Sequence, residues 1–275
     1  MSHAMQFKAK IKNIALQNHI PAQAVLQNFM LERLLERIAL SKYKNMLILK
    51  GGMLIASLVG ISSRTTMDMD ATLRGYPLSE ETIRAALSEI CAIQLADEVT
   101  LVFDHAVPIR EEDEYGGYRV ALTAKFEGIT TPLKVDITTG DIITPDAIKY
   151  AFQSNFEDKK IEVWAYNIET ILAEKIETIL RRSVLNTRPR DFYDVYIMMK
   201  TQRHSIQKKI FLTALNATAQ KRTSLTALEN QDKILRAIQE DITMRQRWNR
   251  YCKENYYANG IEFDEVIGTV RELVN

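Results

Sequence analysis

Cysteine is nearly missing: only Cys91 and Cys252 occur among 275 residues, far apart and with no CxxC or Cys/His cluster. That usage argues against a zinc site and a disulfide framework and suits a reducing cytoplasm. An excess of one charge is also missing. The 36 Lys plus Arg against 35 Asp plus Glu leave a net charge of +1, so whole-molecule electrostatics favour neither nucleic acid nor an anionic membrane. Any such contact has to be a local patch. No apolar run approaches the ~20 residues that cross a bilayer, and the N-terminus lacks an h-region, so no membrane partner is expected. The opening MSHAM is set aside as a cloning remnant. The four histidines, His3, His19, His105 and His204, show neither ligand spacing nor a triad, and no internal repeat occurs. What is present is 46 % hydrophobic residues, enough for a sizeable core in one large domain or two modest ones.

The segment AQAVLQNFMLERLLERIALSKY follows Pro21 and places Leu31, Leu34, Leu35 and Ile38 at i, i+3, i+4 and i+7, the stripe of an amphipathic helix. NMLILK predicts a short strand, broken by Gly51-Gly52 into a helix over Met53 to Leu58. TTMDMDATL alternates with period two, Met67 and Met69 to one side, Asp68 and Asp70 to the other. SEETIRAALSEICAI predicts a helix capped by Ser79, with Glu80 and Glu81 in its first turn. Strands are expected from Val99 to Val107 and from Tyr118 to Phe126, joined through REEDEYGG as a hairpin. In LKVDITTGD, Leu133, Val135 and Ile137 take one face, and Lys134, Asp136 and Thr138 the other. Two more strands are expected near Ile148 to Phe152 and Ile161 to Val163. Beyond residue 166 the pattern turns helical, with no glycine before Gly260. The expected organisation is therefore α+β: a mixed β-sheet with flanking helices over 1–165, and a helical C-terminal region over 166–275.

Two carboxylates at i and i+2 on one strand, Asp68 and Asp70, have Cβ atoms about 7 Å apart and can reach one divalent ion. An all-oxygen pair suits Mg²⁺ (or Mn²⁺) shared with substrate phosphates. A half-exposed edge strand produces the same alternation. If the strand carrying Asp136 is its neighbour, three acids converge, an arrangement that makes sense around a cation. Gly51-Gly52, directly after Lys50, would let backbone approach phosphate at a helix entry, though helix-entry turns use glycine routinely. Lys175 falls inside the apolar stripe Ile168, Ile171, Leu172, Ile176 and Ile179, so its charge needs an acidic partner, an anionic ligand, or a route for its stem to the stripe's edge. In TRPRDFYDVYIMM, Pro189 suits a first helical turn, and Asp191, Asp194, Val195 and Met198 share a face. Asp191 there could be a cap or a dipole partner, and Arg188 and Arg190 could meet phosphate or pair with that acid. Arg245, Arg247, Arg250 and Lys253 interleave with Trp248, Tyr251, Tyr256 and Tyr257. That mix can stack on single-stranded RNA, or bury its aromatics and solvate its basic face. The ten methionines, Met198-Met199 included, are core fillers on this reading.

The order LKGG, TTMDMDA, LKVDITTGD, ILAEKIETILRR and RPRDFYDVY, over about residues 20 to 200, resembles the AbiEii/AbiGii toxin family, a branch of the polymerase-β-like nucleotidyltransferases. The resemblance implies that Asp68 and Asp70 hold metal, that Asp136 is the third strand carboxylate, that Lys175 binds the nucleotide's phosphates, and that Asp191 is the acid of the last motif. Lys50, Gly51, Gly52, Lys175 and Arg188 would line the nucleotide. The gap from Gly52 to Asp68 is longer than in many members, and Gly52 stands where others have serine, leaving phosphate to backbone amides. The family implies a cytoplasmic toxin with a cognate antitoxin, transferring a nucleotide from NTP to RNA, the tRNA acceptor end foremost, and blocking translation. Two alternatives stay open: another acceptor, a small molecule such as an aminoglycoside or a protein side chain, and a non-catalytic nucleotide-binding module.

Overall fold

The fold was taken from a computed structural model of the chain, which describes residues 3–109 and 116–275. It divides into two compact units, Met1–Asp141 with Ala147–Ala165, and Ile142–Asp146 with Tyr166–Asn275. Most of the REEDEYGG hairpin loop, residues 110–115, lies outside the described residues.

The first unit runs α1 (His3–Asn18), α2 (Ala22–Leu40), β1 (Leu47–Lys50), α3 (Gly51–Val59), β2 (Met69–Leu73), α4 (Glu80–Cys91), β3 (Thr100–Ile109), β4 (Gly117–Phe126), β5 (Ile129–Thr139), β6 (Ile148–Gln153) and β7 (Lys160–Ala165). Among the described residues its strands form one seven-stranded sheet of order β3-β4-β5-β2-β1-β7-β6. β2 runs parallel to β5 and antiparallel to β1, and β1 runs parallel to β7, so the sheet is mixed. Alternation sets the faces: Leu133, Val135 and Ile137 are each 1 % exposed, while Lys134 is exposed. Ser79 caps α4, accepting the Thr82 N–H as the sequence implies.

Two elements depart from the sequence expectation. The alternation of TTMDMDATL does not reach back to Met67, which is 50 % exposed, whereas Met69 is fully buried. Thr66 is the cause: its hydroxyl donates to Asp68 Oδ1 at 2.6 Å and accepts the Asp68 N–H at 3.4 Å, a local turn that delays the strand to Met69. α2 is not merely amphipathic, since Glu32, Arg33 and Arg37 are 1 % exposed alongside Leu31, Leu34, Leu35 and Ile38. Their charges are answered from distant strands and loops. Arg37 binds both Asp97 oxygens at 2.7 and 2.9 Å, Arg33 reaches Glu157 at 2.7 Å, and Glu32 accepts Ser154 Oγ at 2.6 Å. α1 lays Phe7, Ile11 and Ala15 against this core, with the Phe7 ring 4.8 Å from Phe29 and 4.6 Å from Phe126.

The second unit is helical: α5 (Ile168–Arg182), α6 (Pro189–Gln202), α7 (Lys208–Lys221), α8 (Leu225–Glu229), α9 (Gln231–Glu240), α10 (Ile242–Glu254) and α11 (Phe263–Val274), with short 3-10 turns between. Asn167 caps α5 by accepting the Thr170 N–H at 2.7 Å, and Pro189 opens α6. Ile171, Leu172, Ile176 and Ile179 of α5 and Phe192, Val195 and Met198 of α6 are at most 3 % exposed and form its core. Met199 at 9 % joins Met198 there, so the methionine pair is core.

Candidate active site

Strand register builds the first cluster. Lys50 on β1 stands opposite Asp70 on β2, Asp70 opposite Asp136 on β5, and Asp136 opposite Arg119 on β4. Directly paired residues share a face, and strands lie about 4.8 Å apart, so the sheet carries a row of cation, anion, anion, cation. Asp68 stands just ahead of β2 and adds a third carboxylate beside Asp70. Asp70 keeps some surface open, yet burial pushes its carboxyl above the usual carboxylate range, and the Asp68 and Asp136 charges push it the same way. Lys50 and the Gly52 N–H, 3.3 Å from Asp70 Oδ2, pull it back only in part.

Both glycines are needed for this packing. Gly51 has φ +66°, and a Cβ there would stand 1.9 Å from Asp70 Oδ2; a Cβ on Gly52 would stand 2.8 Å from Thr66 Oγ1 and 3.3 Å from an Arg64 Nη. The Gly-Gly turn thus seats the aspartate against the N-terminus of α3, which also explains why serine is not accommodated at position 52. Gly51→Ala is expected to lower stability by roughly 1–3 kcal/mol and to abolish transfer activity by displacing Asp70, a pairing read by thermal melting beside a nucleotide-transfer assay. Full activity in that variant would show that the close approach is dispensable.

Lys50 is tied to a residue that the sequence reading did not single out. Its Nζ lies 2.7 Å from Asp141 Oδ2, and Asp141 also accepts from the Thr72 and Thr138 hydroxyls. Burial alone would raise the Asp141 carboxyl, but the Lys50 charge and these hydrogen bonds outweigh it and hold it at about 2. A lowered carboxyl contributes stability above its ordinary value of 3.8 that is lost as pH falls toward 2. Acid unfolding between those values is therefore expected to cost about 2 kcal/mol and to flatten in Asp141→Asn.

Among the described residues no three His, Cys, Asp or Glu side chains are gathered as ligands of one ion. Asp136 is turned aside: Arg119 Nε donates to its Oδ1 at 2.8 Å and Nη2 to its Oδ2 at 2.7 Å. The donor set nevertheless fits a small hard cation. A buried carboxylate with a penalised charge, a second acid beside it, and a cradle that any Cβ would fill are what Mg²⁺ shared with substrate phosphates requires. Arg119 could have been noticed in GGYRVALTAKF as the polar residue between Tyr118 and Val120, but its partner depends on register.

The remaining sequence candidates lie in the second unit. Lys175 Nζ is 2.6 Å from Asp191 Oδ1 and 2.9 Å from Asp194 Oδ2, and both acids are fully buried. Burial works against the ammonium, yet the two carboxylates prevail and hold Lys175 above its ordinary value. Arg188 approaches Asp191 Oδ2 at 3.0 Å, so that acid is an ion-pair partner in the second unit's interior. Arg190 is exposed. In α10 the aromatics went inward: Trp248 is 1 % and Tyr251 8 % exposed, and Trp248 Nε1 donates to the Ile261 carbonyl at 2.8 Å. Arg245 pairs with Asp264 at 2.8 Å, and Arg247 donates to the carbonyls of Val184 and Asn186. The core-packing alternative describes this helix.

A mixed sheet carrying paired strand aspartates behind a Gly-Gly helix entry defines a nucleotidyltransferase-like protein. The family model described as nucleotidyl transferase AbiEii toxin of type IV toxin–antitoxin systems matches residues 33–268, and the chain belongs to that family. It is a nucleotidyltransferase toxin of the α+β class. Among solved structures it is similar to MenT4, the nucleotidyltransferase toxin Rv2826c of Mycobacterium tuberculosis H37Rv, at 13 % identity and a TM-score of 0.58, with 97 % of each chain covered. It is also similar to JHP933 of Helicobacter pylori, at 14 % identity and a TM-score of 0.50, with 92 % of each chain covered. At such identities the likeness concerns the fold. No curated protein matches the sequence significantly. Among the described residues no helix is long and apolar enough to cross a membrane.

Proposed function

We propose that this toxin transfers a nucleotide from an NTP to RNA, the tRNA acceptor end foremost, with Mg²⁺ or Mn²⁺ held by Asp68, Asp70 and Asp136, and thereby inhibits translation in the cytoplasm until its antitoxin intervenes. The observation that supports the chemistry is Asp70 seated against the Gly51-Gly52 cradle with its charge left costly by burial and by Asp68. The bound ion would favour ionisation of the attacking hydroxyl and offset charge on the departing pyrophosphate. The chain's own part is to position. Asp68 and Asp70 would hold the ion, Lys50 counters their repulsion from the neighbouring strand, and the α3 N-terminus would present backbone amides to phosphate. For the second unit the proposal is that Lys175 and Arg188, both held by Asp191, meet phosphate.

The RNA acceptor rests on family membership. The burial of Trp248 and Tyr251 takes two of the four aromatics that the sequence offered for stacking, leaving Tyr256 exposed, and favours, as a second reading, a small-molecule or protein acceptor. Purified protein should be incubated with Mg²⁺, each α-³²P-labelled NTP and total bacterial RNA, beside Asp68→Ala, and the products resolved on a denaturing gel. Label at tRNA size that disappears in the variant is the expected result. NTP binding with unlabelled RNA would move the acceptor to a small molecule or a protein, and absence of NTP binding would leave a protein that acts through its partner alone. Full transfer by Asp68→Ala would sink the site assignment.

A further inference from the structure

The row Lys50, Asp70, Asp136, Arg119 has a cation at each end, and the two are held differently. Lys50 is anchored to Asp141, with both partners largely buried. Arg119 is 52 % exposed and grips an Asp136 that is 17 % exposed. The pair is open to solvent on its arginine side, where water screens it and a competitor of higher charge can reach the guanidinium. With both Asp136 oxygens on the guanidinium, the charge of this carboxylate is already answered and turned toward β4, away from an ion beside Asp68 and Asp70. The planar fork that matches a carboxylate matches a phosphate equally well.

We propose that Arg119 is the resident counter-charge of Asp136 and changes partner on loading: Asp136 leaves it to join Asp68 and Asp70 around a divalent cation, and the released guanidinium takes a phosphate of the incoming nucleotide. This rests on the nucleotidyltransferase reading above and adds a positioning residue to it. The exchange orders the site, because a phosphate-binding arginine becomes available only once the carboxylates are occupied. It also keeps Asp136, though not Asp70, compensated until a cation arrives.

The test uses the full chain and two binding measurements. Mn²⁺ affinity without nucleotide is read from the EPR signal of the free ion, and affinity for a non-hydrolysable NTP analogue is then read with Mn²⁺ saturating. Arg119→Gln is expected to bind Mn²⁺ alone roughly two- to fivefold more tightly. The same variant is expected to bind the analogue with Mn²⁺ roughly tenfold more weakly. Structural damage would not move the two in opposite directions. The gain in Mn²⁺ affinity should vanish in Asp136→Asn, where no carboxylate is left to release. Unchanged or weaker Mn²⁺ binding, a gain that persists in Asp136→Asn, or unchanged analogue binding overturns the exchange. Asp70→Asn separates the two levels. If it binds Mn²⁺ like the wild type, the metal reading falls and the exchange with it. If it loses Mn²⁺ while Arg119→Gln matches the wild type, only the exchange falls.

Discussion

Asp70→Asn is expected to lower nucleotide transfer about a thousandfold and, in the presence of EDTA, to melt at a higher temperature than the wild type. The activity loss follows from removing the best-seated carboxylate of the proposed ion site, whose electrostatic contribution to such reactions amounts to several kcal/mol. The gain in stability follows from the same geometry. Asp70 carries a charge that burial, Asp68 and Asp136 all oppose, and asparagine has nearly the same shape without that charge. Relief of about 1 kcal/mol would raise the melting temperature by a few degrees in a protein of this size. Sites that hold repelling groups together for function commonly trade stability for activity. A variant that is inactive but melts lower would show that Asp70 is a structural residue already compensated in the free protein.

Lys175→Met is expected to destabilise the second unit by roughly 3–5 kcal/mol, a drop of about 10 °C in its melting temperature. The lysine is the shared partner of Asp191 and Asp194, and removing it leaves two fully buried acids facing each other. The triple variant Lys175→Met, Asp191→Asn, Asp194→Asn is expected to recover most of the loss, because it removes the repulsion together with the cation. The pH dependence has a defined sign. A raised lysine contributes stability that is complete below its ordinary value of 10.5 and fades as pH climbs through the higher folded value. Wild type should therefore weaken in that alkaline window and the triple variant should not. A Lys175→Met protein with wild-type melting would show that the two acids find other compensation.

Much of the candidate site's layout was legible because its elements are local. The i, i+2 spacing of Asp68 and Asp70, the Gly51-Gly52 break and the apolar flanks of Asp136 are visible within a few residues, and the β2–β5 pairing then joined Asp70 to Asp136. What the glycines are for was not visible. They read as a phosphate approach, while in the fold Gly51 makes room for the Asp70 side chain and Gly52 for that of Thr66, and the Gly52 N–H reaches Asp70 across 18 residues. Arg119 and Asp141 escaped notice for the same reason, since each matters through a partner on another strand. Met67 was misplaced because a single hydroxyl, Thr66, competes with the strand for the local backbone.

The sequence by itself determined the alternation of a mixed sheet, the caps and glycine breaks of its helices, the acids proposed for the site, and the family to which the chain belongs. Those properties are local or follow from the order of motifs. Only the tertiary structure decided which charges neutralise which: Lys50 with Asp141, Arg119 with Asp136, Lys175 with Asp191 and Asp194, and the buried charges of α2 with partners 60 to more than 120 residues away. A buried or half-buried charge has to be paired, but the chain can satisfy that demand through any element that register and packing bring near, and neither is written in the spacing of neighbouring residues.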